Sequence, residues 1–181
     1  MNIKNIVVAG GGVLGSQIAF QSAYKGFNVK VWLRMESSIG RAKPKFERVE
    51  KIYQETLQAM KTNPAAYCRG LADSPELTEA QIDELIASAK HAMDRIEFTL
   101  SHEEAAKDAE LVIEAIAENP AEKVEFYQTM AKYLPDSAII VTNSSTMLPS
   151  AFAESTGRPD KYLALHFANE IWRNNTAEVM G

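Results

Sequence analysis

The sequence predicts an α/β protein built on a doubly wound, mostly parallel sheet, with a helical hairpin inserted between strands 2 and 3. Three observations predict it. An apolar run over Ile3–Ala9 meets Gly10, Gly11 and Gly12 and then a helical apolar pattern, the start of a β-α-β unit. A charge-dense stretch from Glu36 to Lys61 then interrupts the alternation. From Ile96 onward, short apolar runs and helical stretches alternate, the order that buries parallel strands between helices.

Taken in order, Ile3–Ala9 is a compact β-rich run suited to a buried strand. Leu14, Ile18, Ala19 and Ala23 fall at helical spacing across Val13–Tyr24. Gly26 breaks that pattern, and Val29–Leu33 is the second strand. Glu36–Lys61 reads as a long exposed helix, Asn63-Pro64 as a turn, and Cys68–Asp73 as an irregular connection. Pro75 opens a second helix to Met93, completing the hairpin. Ile96–Leu100, Leu111–Ile116, Ala138–Thr142 and Tyr162–Phe167 are strands. Between them lie helices at His102–Lys107, Pro120–Tyr133 and Pro149–Glu154, with Pro120 placed for a first turn.

Composition bounds the function. The 181 residues suit one substantial domain, and 46% hydrophobic with 24% charged residues is the balance of a globular protein with a core. A net charge of −5 argues against general nucleic-acid binding. The basic residues Arg41, Lys43, Lys45, Arg48 and Lys51 are interleaved with Glu47 and Glu50 and read as a solvated helix face. Cys68 is the only cysteine, so neither an intrachain disulfide nor a thiol-based metal site is expected. The N-terminal apolar stretch is too short for a membrane span, and the expectation is a cytoplasmic protein.

Gly10, Gly12 and Gly15 have the spacing G-x-G-x-x-G between a strand and a helix, the context in which this motif cradles a pyrophosphate. Gly10 permits the turn, Gly12 lets the backbone approach phosphate, and Gly15 lets the helix pack closely; Val13 and Leu14 complete the loop. The strand that follows ends Leu33-Arg34, with no carboxylate until Glu36. A carboxylate there would hold a ribose 2′-hydroxyl, whereas Arg34 can pair with a 2′-phosphate. The cofactor expected is NAD or NADP, with Arg34, Ser37, Ser38 and Arg41 pointing to NADP and an adenine-stacking Arg34 as the alternative.

Three further motifs follow in order: LVIEAIAENPAEK at Leu111–Lys123, NSST at Asn143–Thr146 and HFANEI at His166–Ile171. With the glycine motif and the helical insertion, the chain resembles the 3-hydroxyacyl-CoA dehydrogenase family over essentially its whole length. The resemblance implies a Rossmann domain over residues 1–181 and hydride transfer between C3 of a 3-hydroxyacyl thioester and the nicotinamide. It implies His166 as general acid/base, a role imidazole suits because it titrates near neutrality. Glu178 would orient His166, and Ser145 would hydrogen-bond the substrate hydroxyl. Glu118, Lys123 and Asn143 would flank the cofactor, with Asn119 and Ser144 nearby.

Read without the family, Glu118 equally serves to cap the Pro120 helix, and Ser144–Thr146 to cap the Pro149 helix. His91 and His102 read as surface residues. The chain departs from the family pattern where Ala168 replaces an aromatic residue, Glu170 replaces a proline, and Trp172-Arg173-Asn174 replaces an apolar segment. These departures bear on the acyl-CoA substrate more than on the redox chemistry. A dehydrogenase of a small hydroxy acid, of the gulonate or carnitine type, is therefore an alternative. A non-catalytic NAD(P)-binding module is another, and a 6-phosphogluconate-like enzyme suits the His–Ser pairing less. Family members continue into a helical domain that completes the substrate cleft and forms a homodimer. The expectation is that this chain lacks that domain, binds cofactor and turns over substrate poorly.

Overall fold

The computed structural model describes residues 3–180. Seven strands form one sheet in the order β3-β2-β1-β4-β5-β6-β7 among the described residues. They are β1 (Asn5–Ala9), β2 (Asn28–Trp32), β3 (Ile96–Thr99), β4 (Leu111–Glu114), β5 (Ile139–Thr142), β6 (Tyr162–Phe167) and β7 (Ala177–Met180). All pairings are parallel except β6–β7. The chain winds outward from β1 in both directions, so a crevice opens beyond the carboxyl ends of β1 and β4, where open α/β sheets bind ligands.

Strand alternation divides the core between the two faces of the sheet. Ile6 and Val8 pack with helices α1 (Val13–Tyr24), α2 (Glu36–Met60) and α3 (Glu79–His91). Val7 and Ala9 pack against α4 (His102–Ala106) and α5 (Pro120–Met130) on the other face. The α2–α3 hairpin buries Phe46, Val49, Tyr53 and Leu57 against α1, with Tyr53 edge-on to Phe20 at 4.9 Å and to Tyr24 at 5.3 Å. Burial of that aromatic area, with edge-to-face geometry, holds the insertion on the sheet. Its connector in turn grips the loop after β6: Gly70 N–H donates to the Trp172 carbonyl at 3.0 Å.

Several boundaries differ from the sequence expectation. The second hairpin helix begins at Glu79, not near Pro75, because Thr78 and Gln81 form a reciprocal capping box there. It ends at His91, and Met93–Arg95 is a separate 3₁₀ turn. The expected helix at Pro149–Glu154 is two 3₁₀ turns, Pro149–Ala151 and Ala153–Thr156, closed by Gly157 at φ 67°. Leu111–Ile116 pairs only through Glu114, and the Pro120 helix ends at Met130 rather than Tyr133. Strand β7 was not expected at all: its four residues are exposed and carry no apolar run.

Candidate functional site

The glycine turn is built by two close approaches and one open space. Gly10 sits at φ 114°, and a Cβ there would meet the Ala115 carbonyl oxygen at 2.4 Å, so only glycine fits between β1 and the β4 loop. A Cβ on Gly15 would stand 2.3 Å from the Gly10 carbonyl oxygen, which lets α1 press against the turn. Gly12, at the N-cap of α1, has nothing within 4 Å of the Cβ position. Val13 beside it is exposed and Leu14 half-buried.

A cleft of about 600 Å³ runs from this turn past the end of β2. It is lined by Gly10–Gly12, Trp32, Leu33, Arg34 and Ala115–Ala117, and on its outer sides by α2 and α5. The open space at Gly12 suits the close approach of a phosphate, and the buried Trp32 indole N–H has no acceptor among the described residues. A buried donor without a partner is costly, and an acceptor in the cleft would satisfy it. Volume, glycine turn and donor together fit a dinucleotide.

His102 is not the surface residue its sequence context suggests. It is half-buried, lines this cleft and lies against the Trp32 ring at 4.4 Å between centroids. Burial pushes its imidazole pKa down, with Glu125 opposing. The basic run on α2 also divides: Lys43, Arg48 and Lys51 are exposed as expected, whereas Arg41 and Lys45 line the cleft.

At the ends of β4, β5 and β6 a polar network fixes the remaining candidates. Glu114 is completely buried within β4 and accepts four hydrogen bonds, from Lys123 Nζ (2.7 Å), Tyr127 OH (2.7 Å), Thr142 Oγ1 (2.7 Å) and Ile116 N–H (2.9 Å). Burial, then the adjacent Glu114, pushes the Tyr127 phenol far above its usual range, so it stays a donor. Lys123, only 1% exposed, also reaches Glu118 Oε1 at 3.3 Å. Glu118 Oε2 accepts from Ser144 Oγ at 2.6 Å and Thr146 Oγ1 at 3.0 Å. Partial burial raises the Glu118 pKa, but the two hydroxyls and Lys123 outweigh it and hold the carboxyl below its ordinary value.

Ser145 is thus an exposed residue held between two neighbours tethered to Glu118. Asn143 Oδ1 accepts from Phe167 N–H at 3.0 Å and joins the end of β5 to that of β6. Neither capping alternative holds. Asn119 caps α5, accepting from Ala121 and Glu122 N–H, while Ser144 Oγ accepts from Met147 N–H within its own turn.

His166 and Glu178, twelve residues apart in sequence, are direct partners across the antiparallel β6–β7 pair. Nδ1 and Oε2 stand 3.7 Å apart, close enough for an ion pair once the ring is protonated but long for a hydrogen bond. The His166 side chain is 30% exposed and that of Glu178 72%, so both are open to a reactant.

Fold and glycine turn therefore define a dinucleotide-binding domain of the dehydrogenase kind, with a histidine–carboxylate pair at the carboxyl end of β6. The chain belongs to the 3-hydroxyacyl-CoA dehydrogenase family, whose NAD binding domain matches residues 5–181. It is similar to the probable 3-hydroxybutyryl-CoA dehydrogenase of Bacillus subtilis (strain 168), with 30% identity over 99% of this chain and 54% of that protein. It is also similar to the mitochondrial hydroxyacyl-coenzyme A dehydrogenase of Rattus norvegicus, with 26% identity over 98% of this chain and 50% of that one. Among solved structures, a diketoreductase described as a catalyst on dicarbonyl compounds superposes with a TM-score of 0.81. It is 39% identical over all of this chain and 56% of its own. FadB2 of M. tuberculosis gives a TM-score of 0.71 and 27% identity over 93% of this chain and 50% of its own. The chain spans about half the length of these relatives. No helix among the described residues is long and apolar enough to cross a membrane.

Proposed function

We propose that the whole protein catalyses reversible hydride transfer at C3 of a 3-hydroxyacyl thioester, with His166 as general acid/base. The observation that carries this reading is the pairing of His166 with Glu178 at the carboxyl end of β6, the same edge of the sheet as the glycine turn. A bound nicotinamide supplies or receives the hydride. In oxidation, His166 takes the substrate hydroxyl proton at its free ring nitrogen, and in reduction it returns it. Glu178, 3.7 Å from Nδ1, keeps the ring oriented. Ser145 presents its hydroxyl to the substrate oxygen, held in place because Ser144 and Thr146 both bond Glu118.

Gly10, Gly12, Val13, Leu14 and Gly15 would hold the pyrophosphate, and Leu33 would flank the adenosine. Glu118, Lys123 and Asn143 would shape the nicotinamide end, Lys123 acting from beneath through its pairing with Glu118. The carboxylate-free end of β2 favours NADP over NAD. The chain would bind the cofactor through this cleft. The whole protein would work as a homodimer, as the family resemblance implies.

A second reading concerns the substrate. Identity to the diketoreductase, 39%, exceeds that to the hydroxyacyl-CoA dehydrogenases reported above, and the loop after His166 carries Glu170 and Arg173, 3.8 Å apart. A charged loop there suits a small dicarbonyl compound without CoA. Assaying the whole protein with acetoacetyl-CoA and with a dicarbonyl compound lacking CoA separates the two. Higher kcat/KM on the thioester supports the first reading, and turnover of neither contradicts both.

A further inference from the structure

The charges at the adenosine end of the cleft fall into two sets. On the α5 side, Arg34 Nη1 lies 2.9 Å from Glu122 and Nη2 4.0 Å from Glu125. The guanidinium is engaged across the cleft and offsets the two carboxylates that line it. On the α2 side, Ser38, Arg41 and Lys45 follow one another at helical spacing and all line the cleft. Arg41 donates to Ser37 Oγ (3.1 Å) and Ser38 Oγ (2.9 Å), and neither Arg41 nor Lys45 has a carboxylate partner among the described residues.

This face of α2 sits against the glycine turn. A Cβ on Gly11 would stand 2.8 Å from the Ala42 Cβ, so Arg41 is one residue from the contact. In a dinucleotide, the adenosine ribose is joined directly to the pyrophosphate, so its 2′ position falls one sugar beyond that turn. At the end of β2, Leu33 is 3% exposed and offers no acceptor for a 2′-hydroxyl.

We propose that Ser38, Arg41 and Lys45, with Ser37 behind them, form a seat for a phosphomonoester on the 2′-oxygen of the adenosine ribose, so that the chain selects NADP(H). This rests on reading the cleft as a dinucleotide site. Arg41, steadied on the two serines, supplies its charge and the remaining guanidinium N–H donors, Lys45 a point charge and the serines their hydroxyl protons. Of the residues the sequence points to the phosphate, Arg34, Ser37, Ser38 and Arg41, Arg34 instead bridges to α5 and forms the wall of the adenine slot.

The test is a titration of the 181-residue chain with NADPH and NADH, followed by nicotinamide fluorescence, with adenosine 2′,5′-bisphosphate and adenosine 5′-monophosphate as competitors. The wild type is expected to bind NADPH roughly tenfold or more tightly than NADH. Arg41→Ala and Lys45→Ala each lower that ratio, whereas Arg34→Ala weakens both cofactors and leaves the ratio in place. Adenosine 2′,5′-bisphosphate competes better than the monophosphate only while Arg41 is present. Equal binding, or tighter NADH, overturns the proposal and leaves the dehydrogenase reading standing. A ratio that collapses in Arg34→Ala but not in Arg41→Ala overturns the assignment to α2. Binding of neither cofactor overturns both readings.

Discussion

The two sides of the cleft handle charge in opposite ways. Beside β4, Glu114 and Lys123 are fully buried and joined to Tyr127, Thr142 and Glu118, a network in which no buried side-chain nitrogen or oxygen lacks a partner. Beside β2, Arg41 and Lys45 face an open cleft and spend their donors on local serines and a helix carbonyl. The buried side holds the backbone that presents Asn143 to Thr146. The open side keeps its charge available for a ligand. Position is secured where charge is satisfied, and recognition is available where it is not.

The sharpest way to break this contrast is Lys123→Met. It leaves the buried Glu114 without its counter-charge and is expected to cost about 3–5 kcal/mol of stability, read as a fall in the urea midpoint. Pairing it with Glu114→Gln should recover much of that loss. A loss under about 1 kcal/mol would mean water reaches the pair, contrary to its burial.

Gly12→Val probes the open side. Nothing stands within 4 Å of its Cβ, so stability should fall by no more than about 1 kcal/mol, the N-cap preference for glycine over valine, while cofactor affinity falls roughly tenfold or more as the phosphate approach is filled. Equal losses of stability and binding would show the turn to be structural.

A smaller effect separates His102 from its exposed counterparts. Burial depresses its pKa, so the fold favours the neutral ring, and the stabilisation is complete above the unfolded value of 6.5 and lost as pH falls through the lower folded value. His102→Phe keeps the stack on Trp32 and should flatten the loss of thermal stability between pH 7 and 5. An unchanged slope would place that loss elsewhere.

Much of the fold was legible because its signals are local. Ile6–Ala9 and Val29–Leu33 are apolar runs beside glycines, and the glycine motif needs no partner to be recognised. Strand β7 was not, since Ala177–Met180 is exposed on every residue and becomes a strand only by pairing with β6. That pairing also explains why a twelve-residue interval brings His166 to Glu178, which the interval by itself does not reveal.

The Glu114–Lys123 pair was missed because charged residues read as solvated. The available signal was a glutamate inside the apolar run LVIEAI, where an unpaired charge would be untenable. Lys45 was hidden in the same way by Glu47 and Glu50 on its helix, whereas Arg41 was already legible as a phosphate partner beside Ser37 and Ser38. The contact between Trp32 and His102 joins residues seventy apart, and no local pattern encodes it.

The most direct measurement compares kcat/KM and cofactor affinity in the whole protein for wild type and His166→Ala. The expected result is a fall in kcat/KM of about 10²–10⁴, with nicotinamide dinucleotide binding unchanged. Retained activity would contradict His166 as the acid/base. Parallel loss of cofactor binding would instead make it a structural part of the cleft.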